Sequence, residues 1–248
     1  MSGATRLYLL DVEGTTSPIS LVYEQLFPYA RKHLEPYLRA HVREPWIDED
    51  LAADLALLAR ENVAENAEAP RVSAPDDGES WESVVPAAAA YLLWLMDKDR
   101  KSTALKALQG RVWRAGFEAG ELTGTLFKDV PEALRRWSRT AKVAIYSSGS
   151  VEAQQLLFRH SSAGDLTPYL AGFFDTRVGA KTRGESYIAI AAAMGVAPEE
   201  IVFVSDVVRE LDPAREAGCH TRLSLREGNA PVEHRNGHQA ISSFSEIA

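Results

Sequence analysis

The stretch Leu7-Tyr8-Leu9-Leu10-Asp11-Val12-Glu13-Gly14-Thr15-Thr16 decides the fold. A short apolar run of strand character ends in two carboxylates and then meets a glycine, a residue that punctuates chains. Residues two apart on an extended backbone point the same way, so Asp11 and Glu13 face one reacting centre wherever strand geometry persists beyond Leu10. In open sheets of alternating strand and helix, ligands bind outside the carboxyl ends of the strands, which is where these acids fall. Asp-x-x-Gly is also ordinary turn chemistry. The rest of the chain must choose between the two readings.

Working outward, strand-like runs recur at Val143 to Tyr146, Ile201 to Val204 and Thr221 to Leu225. Helical patterns separate them: Val151 to Phe158, Tyr187 to Met194 closed by Gly195, and Pro213 to Ala217 closed by Gly218. Strand alternating with helix predicts an α/β fold, a doubly wound parallel sheet with helices on both faces. From about Pro18 to Thr125 that rhythm stops. Leu105, Leu108 and Val112 share a helical face, the Ala-rich run after Pro86 is helical in pattern, and no strand is convincing. We therefore expect residues 1–17 and 126–248 to form the α/β core and residues 18–125 an inserted, all-helical cap.

The composition narrows the function. The chain has 248 residues, long enough to bury a core without disulfides or a structural metal, and its single Cys219 has no partner for a disulfide, which points to a reducing compartment. The opening MSGATRLYLL leaves no room for a charged leader and cleavage site, so the expected location is cytoplasmic. The longest apolar run, Pro86 to Met96, is about half of the ~20 residues a membrane span needs. The formal charge of -8 argues against a nucleic-acid partner. That charge is local: residues 43–82 hold 12 acidic and three basic side chains, and the remainder 24 basic and 23 acidic. With Leu51, Leu55 and Leu58 at helical spacing beneath it, the acidic stretch reads as the solvated side of the cap.

Two further strand ends carry chemistry. Ile201 to Val204 runs into Ser205-Asp206, with Glu210 and Asp212 following. Carboxylates gathered at one sheet edge repel one another unless a cation sits among them, and hard oxygen ligands select Mg²⁺, which keeps several waters and commonly shares a substrate phosphate. Val143 to Tyr146 runs into Ser147-Ser148-Gly149-Ser150 at a helix start, where hydroxyls and backbone N–H groups make an anion site and Ser150 serves as N-cap. Lys181, in Gly179-Ala180-Lys181-Thr182, is by itself an unremarked surface lysine. Beside three carboxylates and a phosphate it neutralises charge and orients the nucleophile.

The order strand-Asp-x-Glu-Gly-Thr, strand-Ser, Lys, strand-Asp resembles the haloacid dehalogenase superfamily of phosphohydrolases with a helical cap after the first motif. Closer still, Asp11 to Ser20 with Leu26-Phe27-Pro28-Tyr29-Ala30, Asp99 to Lys106 with Leu108-Gln109-Gly110 and Trp113, Tyr146 to Gln154, Ser205 to Glu210, and Arg226-Glu227-Gly228-Asn229-Ala230 are similar to the enolase-phosphatases (acireductone synthases) of methionine salvage. Glu13 discriminates, because most phosphatases of the superfamily have Asp there and this family has Glu. No motif covers the acidic stretch from 43 to 82.

The resemblance implies that Asp11 attacks phosphorus and forms an aspartyl-phosphate. It assigns Glu13 the acid/base place and, through its backbone carbonyl, a contact to one Mg²⁺ per chain, with Asp11 and Asp206 as the carboxylate ligands and Glu210 behind them. Lys181, Ser147 and Ser148 bind the phosphoryl group. The implied substrate is 2,3-diketo-5-methylthiopentyl-1-phosphate, enolised and then dephosphorylated to the acireductone 1,2-dihydroxy-3-keto-5-methylthiopentene by a monomer. Lys101, Gln109 and Trp113 are candidates for substrate contact or for plain helix packing. The rivals are a capped phosphatase or phosphomutase acting on another small phosphate ester, and a non-catalytic phosphate-ligand sensor on the same fold. A dehalogenase needs neither the second-motif phosphate chemistry nor the acid cluster.

Overall fold

The computed structural model describes residues 4–43, 47–75 and 80–247. The chain divides into two compact units, Met1–Glu24 with Gly120–Ala248, and Gln25–Ala119. The edges drawn from sequence at 17/18 and 125/126 lie inside the first unit, and the physical reason is local. Ser17 Oγ donates to the Thr125 carbonyl at 2.8 Å, Phe127 N–H donates to Thr16 O at 3.1 Å, and Gly124 pairs with Ser161. These bonds hold the approaches to the helical segment on the sheet.

In the sheet unit, β1 (Leu7–Leu10), β2 (Lys142–Tyr146), β3 (Gly172–Phe174), β4 (Ile201–Ser205), β5 (His220–Ser224) and β6 (Gln239–Ile241) form one sheet in the order β3-β2-β1-β4-β5-β6. Every pairing is parallel. The order reverses at β1, so the crevice beyond its carboxyl end is the position where such sheets bind ligands. Both sheet faces are covered, which is why β1 is apolar at every position instead of alternating. Leu7 and Leu9 pack with Ala144, Tyr146, Tyr187 and Phe203, while Tyr8 on the opposite face stacks on Trp137 with ring centroids 4.2 Å apart.

The helical unit contains α1 (Phe27–His41), α2 (Glu49–Val63), α3 (Trp81–Asp97) and α4 (Thr103–Glu118). Its own core gathers Leu34, Leu38, Leu51, Leu55, Leu58, Tyr91, Leu92 and Leu108. No described helix is long and apolar enough to cross a membrane. A π-helical stretch, Leu21–Leu26, leads into α1. The acidic stretch is partly an internal fastener and not simply a solvated side. Glu61 accepts from the Thr103 N–H at 3.0 Å and from the Ser102 hydroxyl, Asp54 takes Arg111 Nε at 2.7 Å, and Glu65 takes Arg100 at 2.9 Å. Residues 44–46 and 76–79 of that stretch lie outside the described residues.

The remaining helices, α5 (Val130–Trp137), α6 (Val151–Arg159), α7 (Gly184–Met194) and α8 (Val208–Glu216), belong to the sheet unit. Three sequence readings shift. The strand expected at Thr221 to Leu225 begins and ends one residue earlier. β3 and β6, three residues each at the two sheet edges, were not legible as strands. And α8 starts five residues before Pro213, which sits inside it and removes a backbone donor there. Burial of Leu211 and Ala214 against the sheet holds the helix through the proline.

Candidate active site

β1 delivers Asp11, β2 delivers Ser147 and β4 delivers Asp206, each within a residue of its strand's carboxyl end. The pairing register sets Leu10 beside Ile145 and Val204, so the three residues emerge at one edge. The chain after β1 coils tightly instead of running on as a strand. Thr15, Thr16 and Ser17 all donate backbone N–H groups to the Val12 carbonyl, Gly14 N–H donates to Ser17 O at 2.7 Å, and Thr16 Oγ1 donates to the Asp11 carbonyl at 3.0 Å. Gly14 adopts a φ of +72°, and a Cβ on it would stand 2.3 Å from Asp206 Oδ2. Only glycine satisfies both the backbone angle and that approach.

Lys181 is the cation of the site. It is buried, with its ammonium donating to Asp11 Oδ1 and, at 3.2 Å, to Glu210 Oε2. Burial works against its charge, but Asp11 and Glu210 outweigh that and raise its pKa. Tyr187 fixes the lysine's backbone: its hydroxyl donates to Lys181 O at 2.7 Å and to Glu210 O at 2.9 Å. Ser205 in turn donates its hydroxyl to Glu210 Oε2 at 2.9 Å.

Glu13 shares the site although β1 ends at Leu10. Its carboxylate accepts from Ser147 Oγ at 3.2 Å, and burial, then the Asp11 charge, push its pKa up. Burial and Asp11 likewise raise Glu210. Asp206 is pushed up to about 7 by burial, with Asp11 and Glu210 adding to it. One lysine thus faces Asp11, Glu13, Asp206 and Glu210. The site has surplus negative charge.

Of the sequence candidates, Asp11, Glu13, Lys181, Ser147, Asp206 and Glu210 come together. Ser148 is exposed, and Asp212 belongs elsewhere, its carboxylate taken by His238, Asn236 and Arg215. The isolated reading of Lys181 as a surface residue fails, since burial next to Asp11 is what the ion pair requires. In the second-motif loop, Ser150 does cap α6, accepting from Ala153 N–H at 3.2 Å, but Asp175 takes the Val151 N–H. In the helical unit, the Trp113 indole N–H is spent on the Leu26 carbonyl at 2.8 Å, Gln109 is buried and Lys101 exposed.

Several residues escaped the sequence reading. Gln154 bridges the Gly149 and Phe174 carbonyls, both at 2.9 Å, tying the serine loop to β3. Ser224 and Asn229 donate to the Gly14 carbonyl at 3.2 and 2.8 Å, and Arg226 donates to the Thr15 carbonyl at 3.3 Å. The only signal for Gln154, Asn229 and Arg226 was their place in the motifs Tyr146 to Gln154 and Arg226-Glu227-Gly228-Asn229-Ala230.

Residues 5–218 match the haloacid dehalogenase-like hydrolase family. The chain is 48% identical over 241 residues to an enolase-phosphatase E1 of Synechococcus elongatus, covering 96% of each chain. It belongs to the enolase-phosphatase family of haloacid dehalogenase-like hydrolases. An enolase-phosphatase E1 of Danio rerio is 42% identical, with 98% of this chain and 94% of that protein covered. Among solved structures, the UTR4 protein of Saccharomyces cerevisiae superposes with a TM-score of 0.77 at 32% identity, covering 98% of this chain and all of that one.

Membership in this family implies a divalent metal cofactor. Among the described residues no three His, Cys, Asp or Glu side chains converge as a ready-made metal cage. A hard ion that retains waters and shares phosphate does not need one. The donor set fits such an ion: an all-oxygen cluster with more carboxylates than cations, and a glycine that lets Asp206 lie directly against the Asp11–Gly14 coil.

Proposed function

We infer that this chain converts 2,3-diketo-5-methylthiopentyl-1-phosphate to the acireductone 1,2-dihydroxy-3-keto-5-methylthiopentene and phosphate, the enolase-phosphatase step of methionine salvage. The observation that carries this reading is the similarity to enolase-phosphatases over 96% of both chains, helical unit included, because the sheet-unit residues alone would serve any phosphate ester.

Asp11 is the proposed nucleophile. Its carboxylate oxygen bonds to phosphorus as the bond to the ester oxygen breaks, and water then cleaves the aspartyl-phosphate to inorganic phosphate. Lys181, anchored through Tyr187, holds one Asp11 carboxylate oxygen in place and leaves the other for attack. Glu13, held by Ser147, is the proposed proton carrier: it gives a proton to the leaving oxygen and takes one from the attacking water. Ser147 and Ser148 belong to the phosphoryl-binding loop. Mg²⁺, held by Asp11, Asp206 and the Glu13 carbonyl, would supply charge stabilisation for the transferring group and polarisation of the substrate carbonyl. The helical unit is the proposed cap that selects the methylthio end. We further propose a cytoplasmic monomer with one ion per chain and no nucleic-acid or membrane partner.

Incubation with the diketone phosphate tests the reading. An enolic product with a new ultraviolet absorbance, formed with one equivalent of phosphate, is expected. Phosphate release from simple sugar phosphates with no enolic product from the diketone would instead identify a general phosphatase.

A further inference from the structure

Asn229 lies on the loop that follows β5. Its amide nitrogen donates to the Gly14 carbonyl at 2.8 Å. That bond fixes which end of the amide points where, since reversal would set two oxygens against each other. The other end, Oδ1, is then buried with no hydrogen-bond partner. A Cβ built on Gly14 would stand 3.0 Å from this oxygen and 2.3 Å from Asp206 Oδ2, so the two oxygens flank the same point above the glycine. Both are acceptors. A buried acceptor left unpaired is costly, and a group able to donate to both oxygens would remove that cost.

We propose that Asn229 is a positioning residue of the metal-phosphate site, its Oδ1 accepting a hydrogen bond from a water of the bound divalent ion while its Nδ2 holds the Gly14 carbonyl. A water on the ion carries two protons, so it satisfies Asn229 Oδ1 and leaves one proton for a neighbouring acceptor. One side chain thereby ties the backbone of the Asp11–Gly14 coil to the ion's outer ligands. Outer partners of this kind typically contribute 10–100-fold to metal affinity. Ser224 is the internal control, because its hydroxyl donates to the same Gly14 carbonyl at 3.2 Å while its oxygen is not among the three heavy atoms nearest a Cβ built on Gly14.

The inference rests on the metal-dependent reading of the site, and the test separates the two. Mg²⁺ is titrated calorimetrically into metal-free wild type, Asn229→Ala, Asn229→Ser and Ser224→Ala, with a thermal melt of each in the absence of metal. The expected result is a metal-free melt close to wild type and an affinity at least tenfold weaker for both Asn229 variants, with Ser224→Ala within about threefold of wild type. If Asn229→Ala does not fold, Asn229→Ser carries the comparison. Wild-type affinity in the Asn229 variants, or an equal loss in Ser224→Ala, would overturn the role of Oδ1. Absence of Mg²⁺ binding by wild type would instead overturn the metal-dependent reading.

Discussion

Asp11 is tied to the rest of the site by a lysine, and that pair makes the sharpest single-residue prediction. Asp11→Asn keeps the shape but removes the negative oxygen that attacks phosphorus. Phosphate release should fall to background, and intact-protein mass spectrometry of a quenched reaction should show no added phosphoryl group; substantial turnover would remove Asp11 as nucleophile. Gly14→Ala probes a different term. The left-handed φ and the 2.3 Å approach to Asp206 must both be violated, at a cost of about 1–3 kcal/mol, and Asp206 must move. We expect a lowered melting temperature together with weakened Mg²⁺ binding, whereas a stable variant with unchanged metal affinity would show that Asp206 is not held against the coil. At this scale the sequence was informative where a residue ends a strand: Asp11, Ser147 and Asp206 are all of that kind. It was silent on the roles of Tyr187 and Ser224, whose polar tips act through backbone carbonyls brought close only by folding, a distance that no spacing along the chain encodes.

Among elements, the start of α5 and the C-terminal segment are joined through one arginine. Arg226 donates to both Asp129 oxygens at 3.0 and 2.9 Å and to Ser242 O at 2.7 Å, and its guanidinium lies between the rings of Phe127 and Phe244 at 4.7 and 4.8 Å. Burial pushes the Asp129 carboxyl up, but the Arg226 hydrogen bonds and the Phe244 N–H outweigh it and hold the pKa below the usual range. The sign follows from the lowered folded-state value. The pair stabilises the fold fully above the ordinary carboxylate pKa of about 3.9, and the contribution disappears as pH falls through the lower one. Asp129→Asn should therefore cost about 2 kcal/mol at pH 7 in denaturant unfolding and progressively less below about pH 4. A pH-independent difference would mean that packing, not charge, joins these elements. In the helical unit, Glu61→Ala removes the acceptor at the start of α4 and should cost about 1–2 kcal/mol, read as a lower midpoint in urea. Elements with a full apolar face were readable from sequence. The two edge strands and the first half of α8 were not, because their conformation is set by neighbours and a proline argued the other way.

Among the described residues, the helical unit has a hydrophobic core of its own that shares no member with the core around Leu7 and Leu9 in the sheet unit, and Asp11, Glu13, Asp206 and Glu210 all belong to the sheet unit. This arrangement explains why a charge of -8 says little about phosphate binding. The acids of the helical unit are partly spent on Arg100, Arg111 and the start of α4, while at the strand ends of the sheet unit Asp11, Glu13, Asp206 and Glu210 share Lys181. Metal should then stabilise the units unequally. A ligand that binds only the folded state adds RT ln(1 + [L]/Kd), about 2.7 kcal/mol at a hundredfold excess over Kd. For a domain of this size that raises the melting temperature by roughly 2–4 °C per kcal/mol. Relief of repulsion among Asp11, Asp206 and Glu210 is one contribution to that binding energy, so a non-coordinating monovalent salt at equal ionic strength should reproduce only a small part of the shift. Scanning calorimetry in EDTA and in saturating Mg²⁺ gives the comparison. The expected outcome is an upward shift of about 5–10 °C in the transition of the sheet unit, abolished in Asp206→Asn, with the helical unit's own unfolding gaining nothing directly from the ion. A shift that survives in Asp206→Asn would place the ion elsewhere, and no shift at all would mean that Lys181 alone balances the cluster.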